Sequence, residues 1–125
     1  MTGAWDVDRT NAHPYWGGRK VLAICERGNS RSVALGWLLK DFYRADCLCA
    51  GAGANTTETF RVLMDWAETI IVVDARLMAG VPDEWRPKVL LCDVGSDRFF
   101  RGFDEGLLAR YVDFLAESSD DMAVL

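Results

Sequence analysis

Residues 21–32 read VLAICERGNSRS, and this stretch decides the fold. Its first four residues form a short apolar run typical of a buried parallel strand. A short polar loop follows, and from about Ser30 to Tyr43 leucines and a phenylalanine recur at i, i+3, i+4 and i+7, which predicts a helix with one buried face. A strand that passes through a tight loop into a helix predicts the start of a βαβ unit.

The alternation of strand and helix patterns continues along the chain. We expect strands at residues 45–50, 69–73 and 88–93, helices from Asn55 to about Glu68, near residues 75–79 and from about Asp104 to Glu117, and a loop around Pro82 and Pro87. This βαβαβ(α)βα order predicts a single three-layer α/β domain with a four-stranded parallel sheet and helices on both faces. Ligands of such sheets bind beyond the carboxyl ends of the strands.

Length and composition limit the classes of function. The chain has 125 residues, half of them hydrophobic, and a net charge of −5. Such an acidic chain is not expected to bind nucleic acid, and its apolar runs are far shorter than the ~20 residues of a membrane span. Residues 1–20 lack the apolar segment of a signal peptide. We therefore expect a cytoplasmic protein with no nucleic-acid or membrane partner. We expect residues 1–19 to be an irregular N-terminal arm that packs Trp5 and Trp16 at a place the sequence does not specify.

One of the four cysteines is a candidate catalytic residue, and the other three are expected to be packing residues. The chain has no C-x-x-C pair and one histidine, so a zinc site is not expected. Cys47, Cys49 and Cys92 fall on predicted strands and are expected to be buried free thiols. Cys25 ends the first strand, and its thiolate would have to be stabilised without a Cys–His pair.

Cys25 opens a C-x5-R-S pattern, the pattern of cysteine-dependent phosphatases. Five residues between a strand and a helix can curl their N–H groups around a tetrahedral oxyanion, and the helix adds its positive dipole end. Gly28 permits backbone angles that a side chain would hinder, and Arg31 can pair with two phosphate oxygens. The same positive field favours a thiolate. The predicted phosphate-binding residues are Glu26, Arg27, Gly28, Asn29, Ser30, Arg31 and Ser32.

On this loop, placed directly after the first strand, the chain resembles the low-molecular-weight protein tyrosine phosphatase family. Similar segments occur at residues 49–51, 66–74 and 97–100. The resemblance implies a phosphatase-I-like fold with residues 20–125 as the catalytic domain. It also implies hydrolysis of phosphotyrosine protein or a small phosphomonoester through a phosphocysteine, with no metal or other cofactor. Gly28 and Asn29 lie one position later than in the family, and Ser30 replaces the family's second cysteine.

The resemblance also implies a general acid. The matching segment is Asp97-Arg98-Phe99-Phe100, in which Arg98 replaces the usual proline, and Asp93 at the end of the fourth strand is the reserve. Phe99 and Phe100 would form an aromatic wall against a phenyl phosphate.

The resemblance implies the following reaction scheme. Cys25 attacks phosphorus, and Asp97 protonates the leaving oxygen and then activates water. Arg31 stabilises the phosphoryl oxygens, and Ser32 donates to the Cys25 sulfur.

Three other functions stay open. The chain matches the C-x-x-G-x-S-[ST]-S pattern of the phosphocysteine carrier subunit IIB of sugar phosphotransferase systems at Cys25, Gly28, Ser30 and Ser32, although Arg31 favours hydrolysis. An arsenate reductase would need two further thiols that relay electrons. A phosphate- or phosphoprotein-binding module would keep the loop and hydrolyse little. The physiological substrate, the oligomeric state and the role of the arm are not determined by the sequence.

Overall fold

The computed structural model describes residues 15–26, 31–53, 55–95 and 104–123, with side chains of the last helix as far as Ser119. The strands are β1 (Lys20–Cys25), β2 (Asp46–Gly51), β3 (Thr69–Val72) and β4 (Val89–Leu91), and the α-helices are α1 (Arg31–Asp41), α2 (Thr57–Trp66) and α3 (Glu105–Ala123). Two 3₁₀ helices lie at Ala75–Gly80 and Asp83–Lys88. Within these ranges, no helix is long and apolar enough to cross a lipid bilayer.

The four strands form one sheet in the order β2-β1-β3-β4, and every pairing is parallel. This confirms the predicted α/β domain with a four-stranded parallel sheet. From β1 the chain passes to β2 on one side, whereas β3 pairs with the other side of β1 and continues outward to β4. The strand order therefore reverses between β1 and β3, which is where open α/β sheets leave a crevice for ligands.

Two hydrophobic cores lie on opposite faces of the sheet, because side chains alternate along each strand. Val21, Ala23 and Cys25 of β1 belong to the first core, which α1 and α3 cover. Leu22 and Ile24 belong to the second core, which α2 and the two 3₁₀ helices cover. Because helical layers cover both faces, β1 is apolar and buried from residue 21 to residue 25, as a central parallel strand requires.

The end of the N-terminal arm is part of the first core. Trp16 is fully buried, and its Nε1–H donates to the carbonyl oxygen of Leu115 on α3 at 3.2 Å. The guanidinium of Arg19 lies 4.1 Å from the centroid of the Tyr15 ring. Trp16 therefore packs against α3, whereas Trp5 lies outside the described residues.

Helix α2 begins two residues later than the sequence predicts. Thr56 is its N-cap, and the Oγ1 of Thr56 accepts from the N–H of Thr59 at 3.2 Å. The Oδ1 of Asn55 instead accepts from the N–H of Gly51 at 2.8 Å. The predicted start at Asn55 is wrong because the side chain of this residue closes the turn after β2 instead.

Several other boundaries also differ from the prediction. The loop predicted around Pro82 and Pro87 contains a 3₁₀ helix, for which Pro82 is the N-cap. Strand β4 spans three residues rather than the predicted six, because its partner β3 ends at Val72, which pairs with Leu91. Helix α3 continues six residues beyond Glu117, because no proline or glycine follows Gly106 within it.

Helix α1 packs closely on β2 through a glycine. A Cβ atom added at Gly36 would lie 2.8 Å from the Sγ of Cys49 and 3.6 Å from the Sγ of Cys47. The first distance is a clash and the second is an ordinary contact. The absence of a side chain at Gly36 therefore allows the two thiols of β2 to lie against the helix.

We expect Gly36→Ala to lower the free energy of unfolding by about 1 kcal/mol. Overpacking against Cys49 costs about 2 kcal/mol, and the higher helix propensity of alanine offsets about 1 kcal/mol of it. In a Cys49→Ala background the clash is removed, so the same change should raise stability by up to about 1 kcal/mol. Urea denaturation of the four proteins measures this coupling. An equal effect in both backgrounds would contradict the packing argument.

Candidate active site

The candidate site lies at the carboxyl edge of the sheet, around the point where the strand order reverses. Cys25 is the last residue of β1, and Arg31 is the first residue of α1. Asp74 and Asp93 lie two residues beyond the ends of β3 and β4. The remaining predicted site residues lie outside the described part of the chain and keep the status of predictions: Arg27, Gly28, Asn29, Ser30, Asp97, Phe99 and Phe100.

Cys25 is buried, and its thiol faces the first turn of α1. Its Sγ lies 3.1 Å from the Oγ of Ser32, which is the contact that the sequence predicts. The carbonyl oxygen of Cys25 accepts from the N–H of Ala52 at 2.8 Å, and that of Glu26 accepts from the N–H of Gly53 at 2.7 Å. The start of the predicted phosphate-binding loop is thus attached to the turn after β2.

The Arg31 side chain is fully buried and contacts the ends of two other strands. Its Nη1 donates to the carbonyl oxygen of Gly95, which follows β4, and lies 3.5 Å from the Oδ2 of Asp74, which follows β3. The carbonyl oxygen of Arg31 accepts from the hydroxyl of Tyr111 on α3 at 3.0 Å. Burial raises the pKa of Tyr111 further above neutral pH. The contacts fix both the backbone and the guanidinium of Arg31.

Asp74 is the residue of this site that the sequence analysis missed. Its carboxylate is 3% exposed and accepts from the Nε and Nη2 of Arg76 at 3.1 and 2.6 Å, in addition to its ion pair with Arg31. The hydrogen bonds from Arg76, reinforced by the charges of Arg76 and Arg31, hold the pKa of Asp74 below its usual range. The signal that could have found it is an aspartate just beyond the strongest strand, at the edge where ligands bind.

Asp93, the reserve general acid, has a local structural role. Its Oδ1 accepts from the N–H of Ala75 at 3.3 Å and from the N–H of Gly95 at 3.2 Å. Its carbonyl oxygen accepts from the Nη2 of Arg110 on α3 at 2.8 Å. Asp93 is exposed, and its carboxylate joins the segments that follow β3 and β4. These contacts make Asp93 part of the support of the site.

A second thiol contacts the same residue of α1 as the candidate nucleophile. Cys47 is buried and Cys49 is half-buried, as expected for residues of β2, and the Sγ of Cys49 lies 3.1 Å from the carbonyl oxygen of Ser32. A hydrogen bond from Cys47, helped by the charge of Lys40, lowers the pKa of Cys49 against the opposing effect of burial. The same hydrogen bond raises the pKa of Cys47. Ser32 therefore contacts Cys25 through its hydroxyl and Cys49 through its carbonyl.

Comparison with protein-family models, curated proteins and solved structures finds no match. Among the described residues, no group of three or more His, Cys, Asp or Glu side chains is arranged to hold a metal ion. The groups that the structure does bring together are a thiol, a hydroxyl, a guanidinium and a carboxylate, on Cys25, Ser32, Arg31 and Asp74.

We expect Asp74→Asn to lower the free energy of unfolding at pH 7 by about 3 kcal/mol, because it leaves the buried Arg31 charge without its counter-charge. Since the folded-state pKa of Asp74 is depressed, its stabilising contribution is present above the unfolded pKa, about 3.9. That contribution is lost as the pH falls through the folded-state pKa. Urea denaturation at pH 7 and pH 3 measures the difference between the proteins.

The matched control is Asp83→Asn. The Asp83 carboxylate is 97% exposed and lies 3.1 Å from the Nε of Arg86, so the loss expected at either pH is below about 0.5 kcal/mol. Equal losses for the two variants, or a loss for Asp74→Asn that does not shrink in acid, would count against the buried ion pair.

We expect alkylation of Cys49 by iodoacetamide to show a midpoint below that of an ordinary cysteine thiol, about pH 8.5. Cys47→Ala should move this midpoint upward, because it removes the hydrogen bond that favours the Cys49 thiolate. Peptide mass spectrometry after timed labelling between pH 5 and pH 9 gives the midpoint. Cys92→Ala is the control, because Cys92 is buried and burial raises its pKa to about 12. The explanation fails if Cys47→Ala leaves the midpoint unchanged.

Proposed function

We propose that this protein is a cysteine-dependent phosphatase that hydrolyses phosphotyrosine or another phosphomonoester. The observation that carries the proposal is the contact of Cys25 with Ser32, at 3.1 Å, at the point where β1 ends and α1 begins with the buried Arg31. A thiol at a helix N-terminus can serve as a nucleophile, and a fixed guanidinium can bind the oxygens of the phosphoryl group.

Membership of the low-molecular-weight protein tyrosine phosphatase family is part of the proposal. It is supported by the position of the C-x5-R-S pattern directly after the first strand of a four-stranded parallel sheet. It is also supported by the positions of Cys25 and of the N-terminus of α1, which lie at the reversal of strand order, where a phosphate could meet the helix N-terminus.

The proposed reaction has two displacements. The Cys25 sulfur attacks phosphorus, the bond from phosphorus to the ester oxygen breaks, and Asp97 gives its proton to the leaving oxygen. Asp97 then takes a proton from water as the water attacks phosphorus and the S–P bond breaks. The hydroxyl of Ser32 donates a hydrogen bond to the departing thiolate, and the Ser32 Oγ is close enough to the Cys25 Sγ to do so. Arg31 and the loop amides stabilise the phosphoryl oxygens in both steps.

Asp74 has the role of a positioning residue in this scheme. Arg31 must present its planar guanidinium to the phosphate in one orientation, and a free arginine side chain has many rotamers. The carboxylate of Asp74 and the carbonyl oxygen of Gly95 limit that freedom from the ends of β3 and β4. Arg76 in turn holds Asp74 through two side-chain hydrogen bonds.

We expect the wild-type protein to hydrolyse an aryl phosphate between pH 5 and pH 8. Cys25→Ser should abolish turnover because it removes the nucleophile, and Asp97→Asn should lower kcat by about 100-fold or more because it removes the general acid. Steady-state kinetics with para-nitrophenyl phosphate measures both effects. Asp83→Asn, far from the loop in sequence and highly exposed, is the control and should leave kcat unchanged.

The other possible outcomes identify the alternatives. The phosphatase proposal fails if the wild-type protein shows no turnover at any pH in this range. A stable phosphocysteine would indicate a carrier, arsenate-dependent oxidation of thiols would indicate a reductase, and phosphate binding without either would indicate a binding module. If Asp93→Asn loses activity and Asp97→Asn keeps it, the assignment of Asp97 as the general acid is wrong.

A further inference from the structure

A cavity of about 220 Å³ opens on the face of the sheet opposite to the Cys25 thiol. It lies between α2 and the two 3₁₀ helices, and Ile24 of β1 forms part of its wall. Ile24 belongs to the second core, whereas its neighbour Cys25 belongs to the first. The cavity and the candidate nucleophile are therefore separated by the sheet, although the two residues are adjacent in the chain.

The walls of this cavity are mainly apolar and include two aromatic rings. Met64 and Trp85 are buried members of the second core, and Phe60 and Leu77 are partly buried residues packed against it. Because these side chains come from α2 and from both 3₁₀ helices, the rings are held from several directions. Such a lining is suited to a flat apolar group.

The guanidinium group of Arg61 lies near one of these aromatic rings at the cavity. The Cζ of Arg61 is 5.9 Å from the centroid of the Trp85 ring, and Arg61 also lines the cavity. Within the described ranges, its guanidinium forms no hydrogen bond or ion pair. An aromatic ligand against Trp85 would place a ring substituent near this guanidinium, and an anionic substituent would be favoured there.

The volume of the cavity limits the size of a ligand that it can bind. A cavity of about 150 Å³ in another protein accepts benzene, so 220 Å³ admits a ring system larger than a single benzene ring. We propose that this cavity is a binding site for a planar aromatic carboxylate of one or two rings, with the rings between Phe60 and Trp85 and the carboxylate at Arg61. This site is additional to the proposed phosphate site at Cys25.

The proposal is tested with 2-naphthoate, and 2-naphthamide is the neutral probe of the same shape. Calorimetric titration of the full-length protein should show one site for naphthoate, with naphthamide bound about tenfold more weakly because it lacks the charge. Arg61→Gln should weaken naphthoate to the level of naphthamide. Leu77→Trp should abolish binding by filling the cavity. Val62→Gln is the control on α2, because Val62 is 69% exposed and does not line the cavity.

A second measurement covers the case in which Leu77→Trp fails to fold. In the wild-type protein, naphthoate should shift the indole N–H resonance of Trp85 in a ¹H–¹⁵N correlation spectrum, and saturating inorganic phosphate should leave that shift unchanged. Absence of binding at millimolar naphthoate overturns the proposal. Displacement of naphthoate by phosphate, or equal affinity of the Arg61→Gln and wild-type proteins for naphthoate, also overturns it. None of these outcomes depends on whether Cys25 hydrolyses phosphoesters.

Discussion

The buried positive charge of Arg31 constrains the whole carboxyl edge of this protein. An arginine side chain with no exposure to water costs several kcal/mol in desolvation unless a counter-charge and hydrogen-bond acceptors surround it. Asp74 supplies the charge and Gly95 supplies a carbonyl oxygen, so the N-terminus of α1 is tied to the ends of β3 and β4. Asp74 in turn depends on Arg76, whose Nη2 lies 2.6 Å from the Asp74 Oδ2.

The thiols of the candidate active site and the aromatic cavity lie on opposite faces of the sheet. The first face carries the thiols of Cys25, Cys47 and Cys49 under α1, and the close approach of Gly36 to Cys49 is part of the same packing. The second face carries the aromatic cavity under α2. Ala52 takes part in both regions, since its N–H donates to the carbonyl oxygen of Cys25 and it also lines the cavity.

Much of the fold follows from local patterns. The apolar run of β1 and the leucine spacing of α1 are properties of neighbouring residues, so the sequence predicted both elements and the loop between them. The contact of Cys25 with Ser32 joins the two ends of one short loop, and the sequence predicted that as well. The start of α2 was misplaced because Asn55 and Thr56 are both good caps, and the competing bond of Asn55 to Gly51 decides between them.

The sequence by itself determined the fold class and the position of a candidate nucleophile at the end of β1, because both depend on residues close together in the chain. Only the tertiary structure decided which carboxylate meets Arg31. The pairing of Asp74 with Arg31 spans two crossovers of the sheet, and no spacing in the sequence encodes it. The cavity at Trp85 is likewise not encoded by any spacing in the sequence. Its walls come from a strand, a helix and two 3₁₀ helices that meet only when the sheet is assembled.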